Sequence, residues 1–162
     1  MERGGKIKKQ KTMTTATEKS TATVLHLSTL SQYFVPFGNY FFPILIWAFR
    51  KDKSEFVDYT GKQVLNFQLS MLLYSVILAA IAIPMLLYSV FSNVTFQELE
   101  TGSFELKQLT AGNLTGIAMV ALTAIFLFCT LKVIEFFLII YAAVKTSNGE
   151  QYKYPLSISF LK

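Results

Sequence analysis

The sequence predicts an all-helical integral membrane protein, with a broken N-terminal apolar segment followed by a long antiparallel pair of transmembrane helices. Two observations support this prediction. The stretch from Leu114 to Val144 is apolar except for Lys132 and Glu135, and a segment of about 18 or more nearly uncharged residues is typical of a membrane helix. In addition, 52% of the 162 residues are hydrophobic and only 15% are charged, which is too little charge to cover a soluble domain of this size.

The chain is short enough for one membrane domain, which we place at residues 21–162. The preceding segment 1–20 is polar and basic. Because it has too few apolar residues to fold alone, we expect a disordered cytoplasmic tail, either solvated or in contact with a ribosome or an acidic partner. The net charge of +5 does not indicate specific nucleic-acid binding, since the basic residues flank apolar segments. That placement favours attraction to the lipid bilayer and control of topology.

The first apolar segment, about 24–49, is interrupted at its centre. Pro36, Gly38 and Asn39 form a turn-like group, and Pro43 follows. An interior proline removes a helix hydrogen bond, and glycine weakens a helix further. Three arrangements fit: one kinked spanning helix, two short helices, or a hairpin that re-enters the membrane and returns. We favour the re-entrant hairpin. Its elbow should face other helices, because irregular backbone at membrane depth must be covered by protein.

The distribution of charge predicts the topology. The loop that begins at Arg50 and both tails are basic, whereas the segment 92–109 carries three glutamates against one lysine. Since Lys and Arg stay on the cytoplasmic side, we expect both termini and the first loop inside and the acidic loop outside. An even number of crossings must then precede Arg50, which a re-entrant hairpin satisfies. The predicted cytoplasmic surface comprises Lys51, Asp52, Lys53, Asp58, Tyr154 and Pro155.

Two further apolar segments, about 60–91 and 110–148, predict the long helical hairpin. Thr60 fits the first position of a capping box, and Gly149 suits the left-handed residue that ends a helix. A helix of about 30 residues is about 45 Å long, against about 30 Å of hydrocarbon, so part of each helix must tilt or emerge. After Pro155 the alternating sequence predicts an extended segment on the membrane or on the first loop.

Lys132 and Glu135 are the candidate functional pair. Residues three apart lie on one helix face, and ionisable groups inside a membrane segment are costly and often functional. Two interpretations stay open. The pair either marks the headgroup level, where Lys can extend towards water, or forms a polar site with Asn66 and Gln68 on the antiparallel helix, which includes the option of an ion or proton relay.

Signals of catalysis are absent from the sequence. It contains no nucleophile–base pair, phosphate loop or nucleotide motif. His26, the single histidine, has no Cys or acid at ligand spacing and is expected to be structural or interfacial. Cys129, the single cysteine, is expected to be a packing residue. We therefore predict no enzyme activity, no cofactor and no metal.

Several motifs resemble those of a family of small bacterial membrane proteins known as domain of unknown function forty-eight-seventy, over about residues 24–161. They are His26-Leu27-Ser28, Pro36, Pro43 with Trp47, Lys51-Asp52-Lys53-Ser54 with Phe56-Val57-Asp58, the run from Gly61 to Gln68, and Gly149-Glu150 followed by the run from Tyr154 to Ile158. That family is similar to the Tic-twenty subunit of the chloroplast inner-envelope protein import translocon.

The resemblance implies a multi-pass subunit of the bacterial cytoplasmic (inner) membrane. It also implies membrane-protein partners and a non-enzymatic accessory role in protein translocation or membrane insertion. The alternative that the residues leave open is a small homo-oligomeric channel or carrier, whose route the polar site would line.

Overall fold

The computed structural model describes residues 15–91 and 111–161, and every regular element in these ranges is helical. The four α-helices are α1 (Ala16–Ser28), α2 (Gly38–Arg50), α3 (Glu55–Phe91) and α4 (Ala111–Ser147). Short 3₁₀ helices follow α1 (Thr29–Tyr33) and α2 (Lys51–Lys53). The all-helical prediction is confirmed. Two stretches, Glu55–Ser89 and Thr115–Ser147, are long and apolar enough to cross a membrane.

The broken apolar segment forms a hairpin of two helices. α1 and α2 pack against each other, and both pack against α3. The elbow side of the hairpin lies near Lys132 of α4, since Gln32 bonds to that side chain, and the return end lies near the start of α3, where Trp47 bonds to Asp58. One continuous kinked helix is therefore wrong, because its two halves run side by side.

The elbow of the hairpin has an unusual backbone. Phe37 has a φ of 61°, in the left-handed region, which is costly for a bulky side chain. The neighbouring Gly38 does not take this conformation. It allows close packing instead, since a Cβ there would lie 2.6 Å from Ser31 Oγ. Expected shielding of the elbow holds only in part. Gly38 and Asn39 are buried, but residues 33–37, with Pro36 among them, are exposed.

Pro43 was expected to contribute to the interruption of the first apolar segment, but it does not break the helix. It lies buried inside α2, which continues to Arg50. The helix begins only at Gly38, so Pro43 sits in its second turn and costs at most one internal hydrogen bond.

Two helix starts differ from the sequence boundaries. α1 begins at Ala16, so residues 16–20, assigned to the tail, belong to the folded part; residues 1–14 lie outside the described ranges. A capping box holds this start, with Thr15 and Glu18 bonding to each other's backbone N–H. α3 begins at Glu55 rather than Thr60. Ser54 caps it by accepting from the N–H of Val57 at 3.4 Å, which leaves the Thr60 hydroxyl bonded inside the helix.

The end of α4 agrees with the sequence. Gly149 has a φ of 85°, Glu150 N–H donates to the carbonyl of Lys145, and Gly149 N–H donates to that of Thr146. These are the two bonds of a Schellman motif, which satisfies the last carbonyls of a helix. The Lys19 side chain of α1 lies against Gly149, so the start of α1 and the end of α4 lie at the same end of the molecule.

The molecule divides into a packed body and a two-helix stalk. Among the side chains that the structure describes, every buried residue of α3 lies at or before Met71 and every buried residue of α4 lies at or after Glu135. We call residues 72–89 and 115–134 the stalk, and residues 15–71 and 135–161 the body. The core of the body consists of Phe67, Met71, Ile139, Ala142 and Tyr154, with a second cluster of Leu25, Val57 and Val64.

Candidate functional site

A three-residue polar cluster lies where the body meets the stalk. Lys132 Nζ donates to Glu135 Oε2 at 2.8 Å and to Gln32 Oε1 at 3.2 Å. Gln32 Nε2 in turn donates to Glu135 Oε1 at 3.1 Å. Glu135 is only 1% exposed, whereas about a third of the Lys132 side chain is accessible. The carboxylate therefore has both oxygens satisfied inside the body, and the ammonium remains the accessible member of the pair.

The pair predicted from the sequence is thus formed, but its third member is Gln32 of the hairpin rather than a side chain of α3. Gln32 was missed because the sequence could not show that the hairpin lies against α4. Its one signal was a polar residue inside an apolar segment, four positions before Pro36.

Gln68 lies beside this cluster and completes a second set of bonds. Its Oε1 accepts from Asn39 Nδ2 at 2.7 Å, and its backbone carbonyl accepts from the Tyr40 hydroxyl at 3.3 Å. The Gln68 side chain is fully buried, and its Nε2 has no hydrogen-bond partner within the described residues. A buried donor left without a partner costs about 1–3 kcal/mol. Gln68 Nε2 is therefore a donor that could bind an acceptor atom of a ligand.

A cavity of about 270 Å³ brings these groups together. Its wall includes Gln32, Asn39, Gln68 and Lys132. Apolar side chains from the elbow, α3 and α4 complete it: Phe37, Met71, Leu72 and Phe128. Of the four residues of the predicted polar site, Gln68 and Lys132 line this cavity, whereas Glu135 and Asn66 do not.

Asn66 lies away from this cavity and binds the backbone of the C-terminal segment. Its Oδ1 accepts from the backbone N–H of Leu161 at 2.7 Å and of Phe160 at 3.1 Å, and its Nδ2 donates to the Leu161 carbonyl at 3.0 Å. One turn away, Ser70 Oγ accepts from the N–H of Ile158 at 2.8 Å. The amide thus satisfies backbone groups of the extended C-terminal segment, which packs along α3 rather than on the first loop.

A buried histidine of α1 is hydrogen-bonded both to α4 and to the C-terminal segment. His26 Nδ1 is hydrogen-bonded to the Tyr154 hydroxyl at 2.8 Å, and Nε2 to the Thr146 hydroxyl at 3.0 Å. A neutral imidazole offers one donor and one acceptor, and hydroxyl groups can fill either role. Burial lowers the pKa of His26 to about 3 and raises the pKa of Tyr154 well above its ordinary value. Both groups are therefore neutral near pH 7, and His26 is a structural residue, as the sequence suggested.

The predicted cytoplasmic surface is only partly a surface. Lys51, Asp52, Lys53 and Pro155 are exposed. Tyr154 is not, since it is 1% exposed and stacks on Phe67 with ring centroids 3.9 Å apart. Its burial follows from the fold because the C-terminal segment lies between α1 and α3.

Asp58 is half-buried at the same end of the molecule. It accepts from Trp47 Nε1 at 2.9 Å and pairs with Lys62 at 2.7 Å. Trp47 therefore anchors the return of the hairpin rather than standing free at an interface.

Metal-binding geometry is absent from residues 15–91 and 111–161, in which no group of three or more His, Cys, Asp and Glu side chains could hold a metal ion. The acidic segment 92–109, predicted to face outside, lies wholly outside the described residues. The helical body therefore offers packing and hydrogen bonding, and its polar groups mostly bond to one another.

The profile of the magnetosome magnetite crystal formation protein family (MamF/MmsF) matches residues 17–161. The chain belongs to this family. The match covers the hairpin, α3, α4 and the C-terminal segment. Together with the two long apolar helices, it indicates a membrane protein. No match is found among curated proteins or among solved structures.

This assignment corrects the resemblance drawn from the sequence. The chain is not assigned to the family of domain of unknown function forty-eight-seventy or to a Tic-twenty-like group, so the expected role in protein translocation or membrane insertion is wrong. The channel or carrier alternative gains no support from the family either. The motifs behind the resemblance mark local packing: Gly61, for example, lies where a Cβ would come 2.2 Å from the Trp47 ring.

Proposed function

We propose that this chain is a non-enzymatic component of the magnetosome membrane that takes part in magnetite crystal formation. The family match over residues 17–161 is the observation that carries the proposal. The chain contributes two apolar helices whose stalk side chains are exposed, such as Ile81, Ile125 and Phe126. Apolar surface of this extent is stable in contact with lipid but not with water.

The arrangement of the described side chains supports a role without catalysis. Both nitrogens of His26 are engaged by hydroxyl groups, and Glu135 is held by Gln32 and Lys132. Cys129 is exposed on the stalk, far along α4 from His26's partner Thr146. A nucleophile needs a base within hydrogen-bond reach, and these groups do not provide one.

The proposed topology has both chain ends and the first loop on the cytoplasmic side. The start of α1, the end of α4 and the turn between α2 and α3 lie at one end of the molecule, where Lys19 contacts Gly149 and where Thr15 and Ser54 line one cavity. This end is rich in lysine, and Lys and Arg favour the cytoplasmic side. The hairpin then enters from that side and returns. Its exposed apolar residues support re-entry: Phe34, Val35, Phe37, Phe41, Phe42, Ile44, Leu45 and Phe49.

Site-directed labelling tests this topology. In isolated sealed magnetosomes, whose membrane presents its cytoplasmic face to the medium, and in a Cys129→Ser background, we expect Lys53→Cys to react with a membrane-impermeant maleimide. Thr101→Cys, between α3 and α4, serves as the matched position on the opposite face and should react only after detergent is added. Protection of Lys53→Cys until detergent is added would place the first loop on the lumenal face and would contradict the re-entrant hairpin.

Removal of the gene from its magnetite-forming host tests the function. We expect the magnetite crystals, measured by electron microscopy, to change in size or number, and the intact chain to restore them. Normal crystals in the absence of the chain would overturn the proposal.

The triple variant E98Q/E100Q/E105Q tests whether the carboxylates of the acidic segment take part, because hard cations prefer oxygen ligands. The variant T95A/T101A/S103A in the same segment is its control.

A further inference from the structure

The cavity at the junction of body and stalk has a polar floor and an apolar rim. The floor carries Gln68, fully buried, and Lys132. The rim carries Phe37, Leu72 and Phe128, of which Phe37 is 75% exposed. Because the rim side chains are exposed, the cavity opens on the side of the helix bundle, between the elbow and the stalk. This side faces the surroundings of the two apolar helices.

The floor offers hydrogen-bond donors and no free carboxylate. The Oε1 of Gln68 already accepts from Asn39, which leaves Nε2 as an unpaired donor. Both oxygens of Glu135 already accept, from Gln32 and from Lys132. Among the described residues that line the cavity, Lys132 carries the only charged group. A ligand that fits this floor must therefore present acceptor oxygens, and a negative charge on them would be stabilised by the ammonium.

We propose that this cavity binds one anionic phospholipid, with a phosphate or ester oxygen accepting from Gln68 Nε2 and Lys132 Nζ. Its acyl chain lies along the rim formed by Phe37, Leu72 and Phe128. A lipid fits better than a free anion because the rim is apolar and laterally open, and only an amphiphile uses both parts. Bound lipid also gives the buried amide its missing partner. This inference does not depend on the role in magnetite formation.

A matched pair of serine variants tests the proposal. Ser75 lines the cavity, and its hydroxyl donates to the carbonyl of Met71 at 2.9 Å. Ser89 makes the same bond to Met85 at 2.8 Å on the same helix but does not line the cavity. Ser75→Phe should fill the site without touching a polar partner of the cluster. Ser89→Phe makes the same chemical change away from it.

The measurement is native mass spectrometry of the delipidated full chain in mild detergent, titrated with phosphatidylglycerol. We expect one tightly bound phosphatidylglycerol on the original chain and on Ser89→Phe. On Ser75→Phe the affinity should fall by about tenfold or more, because the phenyl ring occupies space that the lipid needs. Gln68→Met should weaken binding in the same direction, and circular dichroism melting confirms that each variant is folded.

Two further titrations separate the possible sources of the ligand. Phosphatidylcholine should bind more weakly than phosphatidylglycerol because its headgroup has no net charge. Inorganic phosphate should not displace the lipid, because it lacks an acyl chain. Equal retention of phosphatidylglycerol by folded Ser75→Phe and Ser89→Phe would overturn the proposal. Displacement by inorganic phosphate alone would also overturn it, since the site would then be one for a small anion.

Discussion

The body and the stalk share the helices α3 and α4, but different interactions stabilise the two regions. In the body, α3 and α4 are covered by the hairpin and by the C-terminal segment, and they bury amide, hydroxyl and carboxylate groups. In the stalk, none of residues 72–89 and 115–134 is buried. Half-buried residues there recur at the three- or four-residue spacing of a helix face, as in Ala79, Ala82 and Leu86 of α3.

The specificity of the fold lies in the buried polar groups of the body. Buried polar groups must find particular partners, because a group left unpaired costs free energy. Apolar stalk side chains need only contact with lipid, and small residues such as Ala121 and Ala124 let two membrane helices approach. We therefore expect substitutions in the body to destabilise the chain far more than the same substitutions in the stalk.

The largest effect is expected from the ion pair at the junction. Lys132→Met leaves the buried carboxylate of Glu135 with Gln32 alone, and breaking a buried pair costs about 3–5 kcal/mol. Denaturant unfolding in detergent should show this loss. The double variant K132M/E135M removes both charges and should recover most of the stability, since an apolar replacement of a buried pair is often neutral. A double variant as unstable as Lys132→Met would contradict this account.

A pair of isoleucines gives the next largest contrast. Ile139 in the body is fully buried, whereas Ile81 in the stalk is 58% exposed. Ile139→Ala should cost about 3 kcal/mol, because it leaves a cavity in a packed core. Ile81→Ala should change the unfolding free energy by about 0.5 kcal/mol or less. Equal losses in the two variants, measured by thermal melting, would mean that the stalk is packed as tightly as the body.

Replacing one glycine in the body and one in the stalk by alanine compares how the two regions accept a single added methyl group. In the body, a Cβ on Gly61 would lie 2.2 Å from Trp47 Cδ1, whereas a Cβ on Gly116 meets nothing within 4 Å. Gly61→Ala should therefore destabilise the chain by about 2 kcal/mol through overpacking. Gly116→Ala should be neutral or stabilising by up to about 1 kcal/mol, because alanine favours a helix. Tryptophan fluorescence should shift only in Gly61→Ala.

The smallest predicted effect depends on pH. Burial lowers the pKa of His26 to about 3 in the folded chain, from an ordinary value of 6.5. The unfolded chain then binds more protons between these values, so stability is complete above pH 6.5 and falls as the pH drops towards 3. The loss should reach about 1.4 kcal/mol at pH 5.5.

The groups around His26 include Thr146 of α4 and Tyr154 of the C-terminal segment, neither of which titrates in that range. Glu135, on α4, acts on Tyr154 through its charge. His26→Gln lacks the titrating ring and serves as the control. An identical pH dependence of unfolding in the original chain and in His26→Gln would contradict this assignment.

The features that sequence reasoning predicted are local ones. Apolar length predicted α3 and α4, the turn residues from Pro36 to Asn39 predicted the division of the first segment, and the spacing of Lys132 and Glu135 predicted an ion pair on one face. The features it missed depend on contacts between distant parts of the chain. Gln32 joins the ion pair only because the hairpin docks on α4, about 100 residues away.

The C-terminal segment shows the same limit. Its alternating sequence predicted an extended conformation, and the segment has no helix after Ser147. Nothing in that alternation shows that Tyr154 packs inside the body or that Asn66 binds its backbone. Asn66 and Gln68 are neighbours in the sequence and were grouped as one site. The helix turns by about 100° per residue, so they point in different directions and serve different partners.

The contacts of His26 constrain the order in which the chain is assembled. Its two partners, Thr146 and Tyr154, lie 120 and 128 residues later in the chain. During biosynthesis the N-terminal hairpin is complete long before either partner exists, so its imidazole must first remain hydrated or be held by other groups. These two hydrogen bonds therefore form last, after the end of α4 and the C-terminal segment have been made, although the hairpin can already pack on α3. A polypeptide truncated before Thr146 should leave the imidazole of His26 without either hydroxyl partner.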